Sequence, residues 1–214
     1  MEIGPKKGRV FVITAPSGTG KTTIINIVRK NIGGIGYCVS HTTRKPREGE
    51  VNGLHYYFVD RAEFESMIEA REFVEWALVY DHLYGTSISS INRELSSAKD
   101  LLMDLDIQGT KEIKRRFPES RSIFILPPSM EILKERLKKR PTDKEIDIDL
   151  RMKKALGEIQ GCRDYDFIVL NDDLNQAARE IEAIIIAQRA YRERRLPLVQ
   201  RLFHLSKTGK GPRA

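Results

Sequence analysis

The segment Ala15-Pro16-Ser17-Gly18-Thr19-Gly20-Lys21-Thr22 stands directly after the clearest short apolar run in the chain, Val10–Thr14, and directly before a helix-forming stretch, Thr22–Asn31. That placement constrains the fold more than any other feature. Gly18 and Gly20 permit backbone angles that turn successive N–H groups toward one point, and the helix opening near Lys21 adds its free amides and dipole to the same point. The spacing is that of the phosphate-cradling loop, Gly-x-x-x-x-Gly-Lys-Ser/Thr, with Ala15 in place of the first glycine. That letter starts the loop without touching a phosphate. The residues therefore predict a nucleoside triphosphate site over Ala15–Thr22 and the adjoining Thr23. In it Lys21 reaches the β- and γ-phosphates, and Thr22 offers a hydroxyl to magnesium or a phosphate oxygen.

Such a loop belongs between a strand and a helix of a larger sheet, and the rest of the chain supplies one. Tyr37–Ser40, Leu101–Leu105, Ser122–Leu126 and Phe167–Leu170 are short, β-branched or aliphatic, and not alternating, as strands buried on both faces of a parallel sheet are. Helical patterns fall between them at Ala62–Ala70, Ile88–Ala98, Lys111–Phe117, Ser129–Lys139 (with Ser129 as N-cap) and Leu174–Tyr191. Strand then helix, repeated, predicts an α/β fold with a parallel sheet flanked by helices. Thr42–Gly85 interrupts the rhythm with turn formers and aromatics and reads as a small mixed or antiparallel insertion. Within it, Asn52-Gly53 ahead of His55–Val59 reads as a hairpin turn. Lys134–Lys154 is so charged that it is expected to bury little, as an exposed helical hairpin.

Composition narrows the function classes. The net charge of +7 lies wholly in residues 189–214, where eight lysines and arginines face Glu193 alone, so residues 1–188 hold 29 basic and 29 acidic groups. The basic isoelectric point therefore describes a tail, not a nucleic-acid-binding domain, and anionic ligands must be met by individually placed cations. No apolar run reaches the ~18 residues of a membrane span. Cys38 and Cys162 lack the paired spacing of a zinc site or disulfide framework. A cytoplasmic chain is expected.

A second constellation concerns the phosphoryl acceptor. Ser40-His41-Thr42-Thr43-Arg44-Lys45-Pro46-Arg47 places two arginines three apart around a turn, and guanidinium forks suit a phosphate dianion met bidentately. Tyr56 and Tyr84 add phenolic hydroxyls; Glu75 and Thr86 supply a carboxylate and a hydroxyl, as a guanine edge requires. On spacing alone a solvated basic turn beside core aromatics fits as well. Asp104 and Asp106 leave the third core strand and equally fit caps of the next helix. Asn171-Asp172 by itself reads as a turn.

These residues together resemble guanylate kinase, the nucleoside monophosphate kinase that converts GMP and ATP to GDP and ADP. The resemblance is carried by APSGTGKTT (15–23), SHTTRKPREGEVNGLHYYF (40–58), FVEWA (73–77), YGT (84–86), MDLDIQG (103–109), FILPPS (124–129) and IVLNDDL (168–174), in order, from about Arg9 to Ala187. It implies a P-loop kinase core over 1–36, 98–129 and 158–190, a GMP-binding subdomain over 37–97, a helical lid over 130–157 and a basic tail over 191–214. It further implies that Ser40, Arg44, Arg47, Tyr56 and Tyr84 surround the GMP phosphate, that Glu75 and Thr86 read guanine, and that Asp104 lies near the acceptor and magnesium. Asn171 and Asp172 would lie near adenine. Lys21, Arg44, Arg47, Arg140 and Arg151 would carry the transfer, and Arg136 would join the lid over ATP. Where the family usually has glycine after the middle lid arginine, this chain has Pro141, which fixes φ and removes a donor. The partners implied are ATP and GMP or dGMP with Mg2+. No membrane and no nucleic acid is expected, and a homo-oligomer, if one forms, through the C-terminal segment, whose Leu196, Leu198, Leu202, Phe203 and Leu205 pattern as amphipathic. A ribose-bisphosphate kinase of similar core would have no use for Glu75 and Thr86. A non-enzymatic scaffold module of this fold typically has a degraded loop, whereas Lys21, Arg44, Arg47 and Asp104 are intact here.

Overall fold

A computed structural model describes residues 8–79, 81–97, 100–138 and 148–204. In chain order its first half runs β1 (Val10–Thr14), α1 (Lys21–Asn31), β2 (Ile35–Tyr37), β3 (His41–Thr42), β4 (Tyr57–Phe58), α2 (Arg61–Glu69), β5 (Phe73–Val79), β6 (His82–Ser87) and α3 (Ile88–Ser96). The second half runs β7 (Asp100–Asp104), α4 (Ile107–Arg116), β8 (Arg121–Leu126), α5 (Met130–Lys138), α6 (Ile148–Gln160), β9 (Phe167–Leu170), α7 (Leu174–Arg189) and α8 (Arg192–Leu202).

Four of the five apolar runs, with Ile35–Tyr37 in place of the expected Tyr37–Ser40, form one parallel sheet in the order β2-β7-β1-β8-β9. Successive side chains of β1 point to opposite faces, and both faces are covered. Phe11 and Ile13 pack with Ile24 and Val28 of α1 and Ile181 and Ile185 of α7; Val10 and Val12 pack with Ile91 of α3 and Ile113 of α4. Each fully buried side chain of this size contributes roughly 1.5–3 kcal/mol relative to exposure. The register pairs Ile13 with Asp104, so Asp104 ends its strand beside the point where the chain leaves β1 for the phosphate-type loop. Ligands of open parallel sheets gather at this carboxyl edge.

The insertion is a second, mixed sheet in the order β4-β3-β6-β5, built over Phe64, Phe73 and Leu83. The expected hairpin at Asn52-Gly53 does not form. Gly53, at φ +78, closes a turn by donating its N–H to Tyr56 O at 2.8 Å, but the strand that follows is short and pairs in parallel with β3. The true hairpin is β5–β6, closing beyond the Val79↔His82 pair with Asp81 at φ +65. Nor does β2 extend to Ser40. Cys38 still donates to Leu102 O at 3.1 Å, whereas Ser40 O accepts from Tyr57 N–H at 2.9 Å, so 38–40 is where the chain changes sheets.

Other boundaries move for local reasons. α4 starts four residues before the predicted Lys111 because Asp106 caps it, accepting Gly109 N–H at 2.8 Å. Ser129 caps α5 as predicted, with Ile132 N–H donating to its Oγ at 3.2 Å. Within the described part of the charged segment 134–154, Leu137 is buried and Met152 packs beside it, in a small core completed by Leu133, Ala155 and Met130 from just outside the segment. Arg140 and Pro141 lie outside the described residues. None of α8 is buried, and Leu196, Leu202 and Phe203 are exposed; Leu205 lies outside the described residues. No helix among the described residues is long and apolar enough to cross a membrane.

At the opposite edge of the sheet, Asp100 is 4% exposed. It accepts from Arg9 N–H at 2.9 Å, Arg189 Nε at 2.7 Å and Arg194 Nη2 at 2.9 Å, tying α7 and α8 to the strand termini. Removing one partner of a buried ion pair leaves the others uncompensated. Asp100→Ala is therefore expected to lose about 3 kcal/mol in denaturant unfolding and to speed proteolysis within α8. Unfolding free energy within about 0.5 kcal/mol of wild type would show the cluster to be solvated.

Candidate active site

The loop between β1 and α1 has the backbone that an anion cradle needs. Gly18 and Gly20 sit at φ +91 and +97, and Gly20 occupies the N-cap position of α1 with no side-chain cap and no acid in the first turn. The opening amides of α1 thus lack a side-chain acceptor there, which is the condition for gripping an external anion. A side chain would also be crowded at both positions: a Cβ on Gly18 would stand 3.0 Å from Leu137 Cδ2 of α5, and one on Gly20 would stand 2.9 Å from Asn171 Nδ2. Ser17, Thr22 and Thr23 are exposed at the mouth; Ala15 is half-buried and Pro16 buried below it.

Asn171 is 2% exposed and donates through Nδ2 to Thr19 O at 2.5 Å. Arg136 donates to the same carbonyl at 3.3 Å. Two residues expected to meet ATP therefore brace the back of the loop, while Asp172 is exposed beside them. Arg151 is 9% exposed in the first turn of α6.

Lys21 forms an ion pair with Asp104 across the carboxyl edge, both half-buried. Asp106, two residues on, is the α4 cap, so the two acids divide the alternatives open to them. One faces the loop lysine and the other closes a helix. Lys21, Asp104 and Asp106 line one cleft with Ser40, Tyr56, Glu75 and Tyr84.

The far wall comes from the second sheet. Thr86, fully buried, lies 3.2 Å from Ser40 Oγ and is the cross-strand partner of Glu75 in the β5–β6 hairpin. Burial pushes the Glu75 carboxyl up to about 7; Thr86 pulls it down, and the charge of Asp106 adds to the rise. Arg44 is held on every side. Its two Nη atoms meet Glu50 at 2.9 Å each, Nη1 also donates to Lys45 O at 2.7 Å, and Nε donates to Tyr84 at 3.3 Å. The bidentate fork expected for a phosphate is here on Glu50, which also accepts Arg47 N–H at 2.7 Å. Burial would raise Glu50, but Arg44 and the Arg47 amide outweigh it and hold the carboxyl below its ordinary range. Arg47 itself is exposed. Sequence reasoning missed Glu50, although its place three residues after Arg47 across Gly49 was visible.

Glu75 sets a pH dependence. Its folded-state pKa lies above the unfolded value, so folding favours the neutral carboxyl, and that contribution is lost as pH rises through about 7. Glu75→Gln has no such titration, and its Tm is expected to gain on wild type as pH goes from about 5 to about 8. A Tm difference constant across that range would show that Glu75 titrates at an ordinary value.

Comparison with known proteins identifies the family. The family model described as guanylate kinase matches residues 7–188. The chain is 46% identical over 183 residues to a guanylate kinase of Carboxydothermus hydrogenoformans, covering 86% of this chain and 90% of that protein. It is 43% identical over 201 residues to one of Neisseria gonorrhoeae, covering 94% and 98%. The crystal structure of guanylate kinase from Anaplasma phagocytophilum superposes with a TM-score of 0.77 at 31% identity, covering 94% of this chain and 98% of that one. With loop, acids and second sheet all in the arrangement described, the chain belongs to the guanylate kinase family.

Proposed function

We propose that this chain transfers the γ-phosphoryl group of ATP to GMP or dGMP, reversibly, giving ADP and GDP or dGDP. The observation that carries the reading is the single cleft shared by Lys21 and Asp104 on one wall and Ser40, Tyr56, Glu75 and Tyr84 on the other. Two nucleotides bound there meet phosphate to phosphate.

The donor lies on the 15–23 loop with its terminal phosphate at Lys21 and the α1 amides. The acceptor phosphate lies between Arg47, Arg44, Tyr56 and Tyr84, and its base between Glu75 and Thr86. An ionised Glu75 accepts from the N1–H and exocyclic amine of guanine and repels the acceptor nitrogen of adenine at the same position. An oxygen of the acceptor phosphate attacks the γ-phosphorus in line; the bond to the β,γ-bridging oxygen breaks, and ADP leaves. The attacking oxygen is already anionic, so alignment and charge stabilisation are the chief requirements. Arg136, Arg140 and Arg151 close over the donor as the lid shuts and water is excluded. Arg44 must share its fork with Glu50 or exchange it for the phosphate.

Thr22 and Asp104 present the hard oxygen donors that suit magnesium, and no group of three or more metal-ligating side chains occurs among the described residues. An ion held largely by phosphates and water fits that donor set. Bound with ATP, magnesium supplies neutralisation of the β- and γ-phosphate charge.

Three working parts follow: the core of 1–36, 98–129 and 158–190 holds ATP, 37–97 holds GMP and 130–157 is the lid. The unpaired Cys38 and Cys162 suit a reducing cytoplasm. Any self-association would use the exposed apolar side chains of α8.

Lys21→Ala is expected to lower kcat by about a thousandfold or more in a coupled ADP-release assay, since it removes the charge on the transferring group. Glu75→Gln is expected to raise KM for GMP by about ten- to a hundredfold with KM for ATP unchanged. Wild-type GMP affinity in the Glu75 variant would overturn the guanine assignment. The reading as a whole fails if ADP release by the wild type is indifferent to GMP.

A further inference from the structure

Gly109 lies in the first turn of α4, buried against β5. Its φ is not positive, so the backbone makes no demand for glycine, and alanine is the better residue in a helix. The reason for the missing side chain lies across the gap. A Cβ at this position would stand 3.0 Å from Glu75 Oε2, 3.2 Å from Glu75 Cδ and 3.3 Å from Leu105 Cβ. The carboxylate is enclosed on the hairpin as well: Glu75 pairs across the strands with Thr86, which is fully buried and itself against Ser40. Leu105 is 6% exposed.

From this contact we propose that Gly109 is a positioning residue for acceptor specificity: its bare Cα lets the Glu75 carboxylate lie where it meets the guanine edge. The proposal rests on the reading of Glu75 as the guanine reader. A methyl group at 109 moves that carboxylate by a few tenths of an ångström, against a recognition that depends on two parallel hydrogen bonds. Folding is spared, because alanine keeps the N–H that donates to the Asp106 cap and favours the helix.

The test is steady-state kinetics and thermal unfolding of Gly109→Ala, Glu75→Ala and the double variant, with GMP and AMP as acceptors. Gly109→Ala is expected to keep or raise Tm while kcat/KM for GMP falls about tenfold, through KM for GMP, with KM for ATP unchanged. Preference for GMP over AMP should fall by a similar factor. In the Glu75→Ala background, where the carboxylate is gone, adding Gly109→Ala should change kcat/KM for GMP by less than about twofold. Should the single variant fail to fold, the double variant is expected to fold; failure of both overturns the proposal. Wild-type GMP selectivity in Gly109→Ala, while Glu75→Ala loses it, sinks this proposal alone, as does a Gly109→Ala loss that persists without Glu75. Glu75→Ala retaining full GMP preference sinks the guanine reading, and this proposal with it.

Discussion

The ion pair between Lys21 and Asp104 is the joint on which the site is assembled. It exists because β1 and β7 are parallel neighbours in a register that ends them side by side, and because α1 starts one loop beyond β1. A lysine proposed to meet phosphates needs a counter-charge when they are absent, and the half-buried carboxylate of Asp104 supplies it. Arg44 and Glu50 repeat the arrangement on the far wall, with a bidentate contact and the Arg47 amide added. Lys21 and Arg44 are thus both held in place by acids; on the proposed reading, phosphate arrival is an exchange of anions rather than the ordering of loose side chains. Preorganised charge of that kind works best where water is excluded, which is the purpose the proposed lid would serve.

Much of this was legible in the residues. β1 and β9 were bounded to the residue because non-alternating apolar runs have few other uses. The loop at 15–22 was legible because positive-φ glycines, a lysine and a helix start must coincide in sequence to coincide in space. The hairpin at Asn52-Gly53 was misread: the local turn chemistry was right, but the strand beyond it found a parallel partner, a choice set by the sheet and not by the turn. The start of α4 was misplaced because Asp106 was weighed as a ligand or a cap on equal terms, and only the hydrogen bond to Gly109 decides between them.

Within the site, the motif letters were readable and their geometry was not. Asn171 and Arg136 were expected near ATP; that both also donate to the Thr19 carbonyl, from 152 and 117 residues away, no motif letter told. Glu50 was passed over because an acid beside two arginines reads as surface charge until its bidentate contact is seen. Gly109 carries no signal in one sequence, since a glycine in a helix looks like a weakness until a carboxylate is found against its Cα. Contacts across such separations are products of the fold, and no spacing rule encodes them.

The central claim is that two nucleotides share one cleft with their phosphates facing. The most direct measurement is calorimetric titration with a single compound joining adenosine and guanosine, 5′ to 5′, through five phosphates. The account predicts one molecule bound per chain, exclusion of both ATP and GMP, and loss of binding in both Lys21→Ala and Glu75→Gln. Binding no tighter than ATP alone and indifferent to Glu75, or two molecules bound per chain, would contradict it.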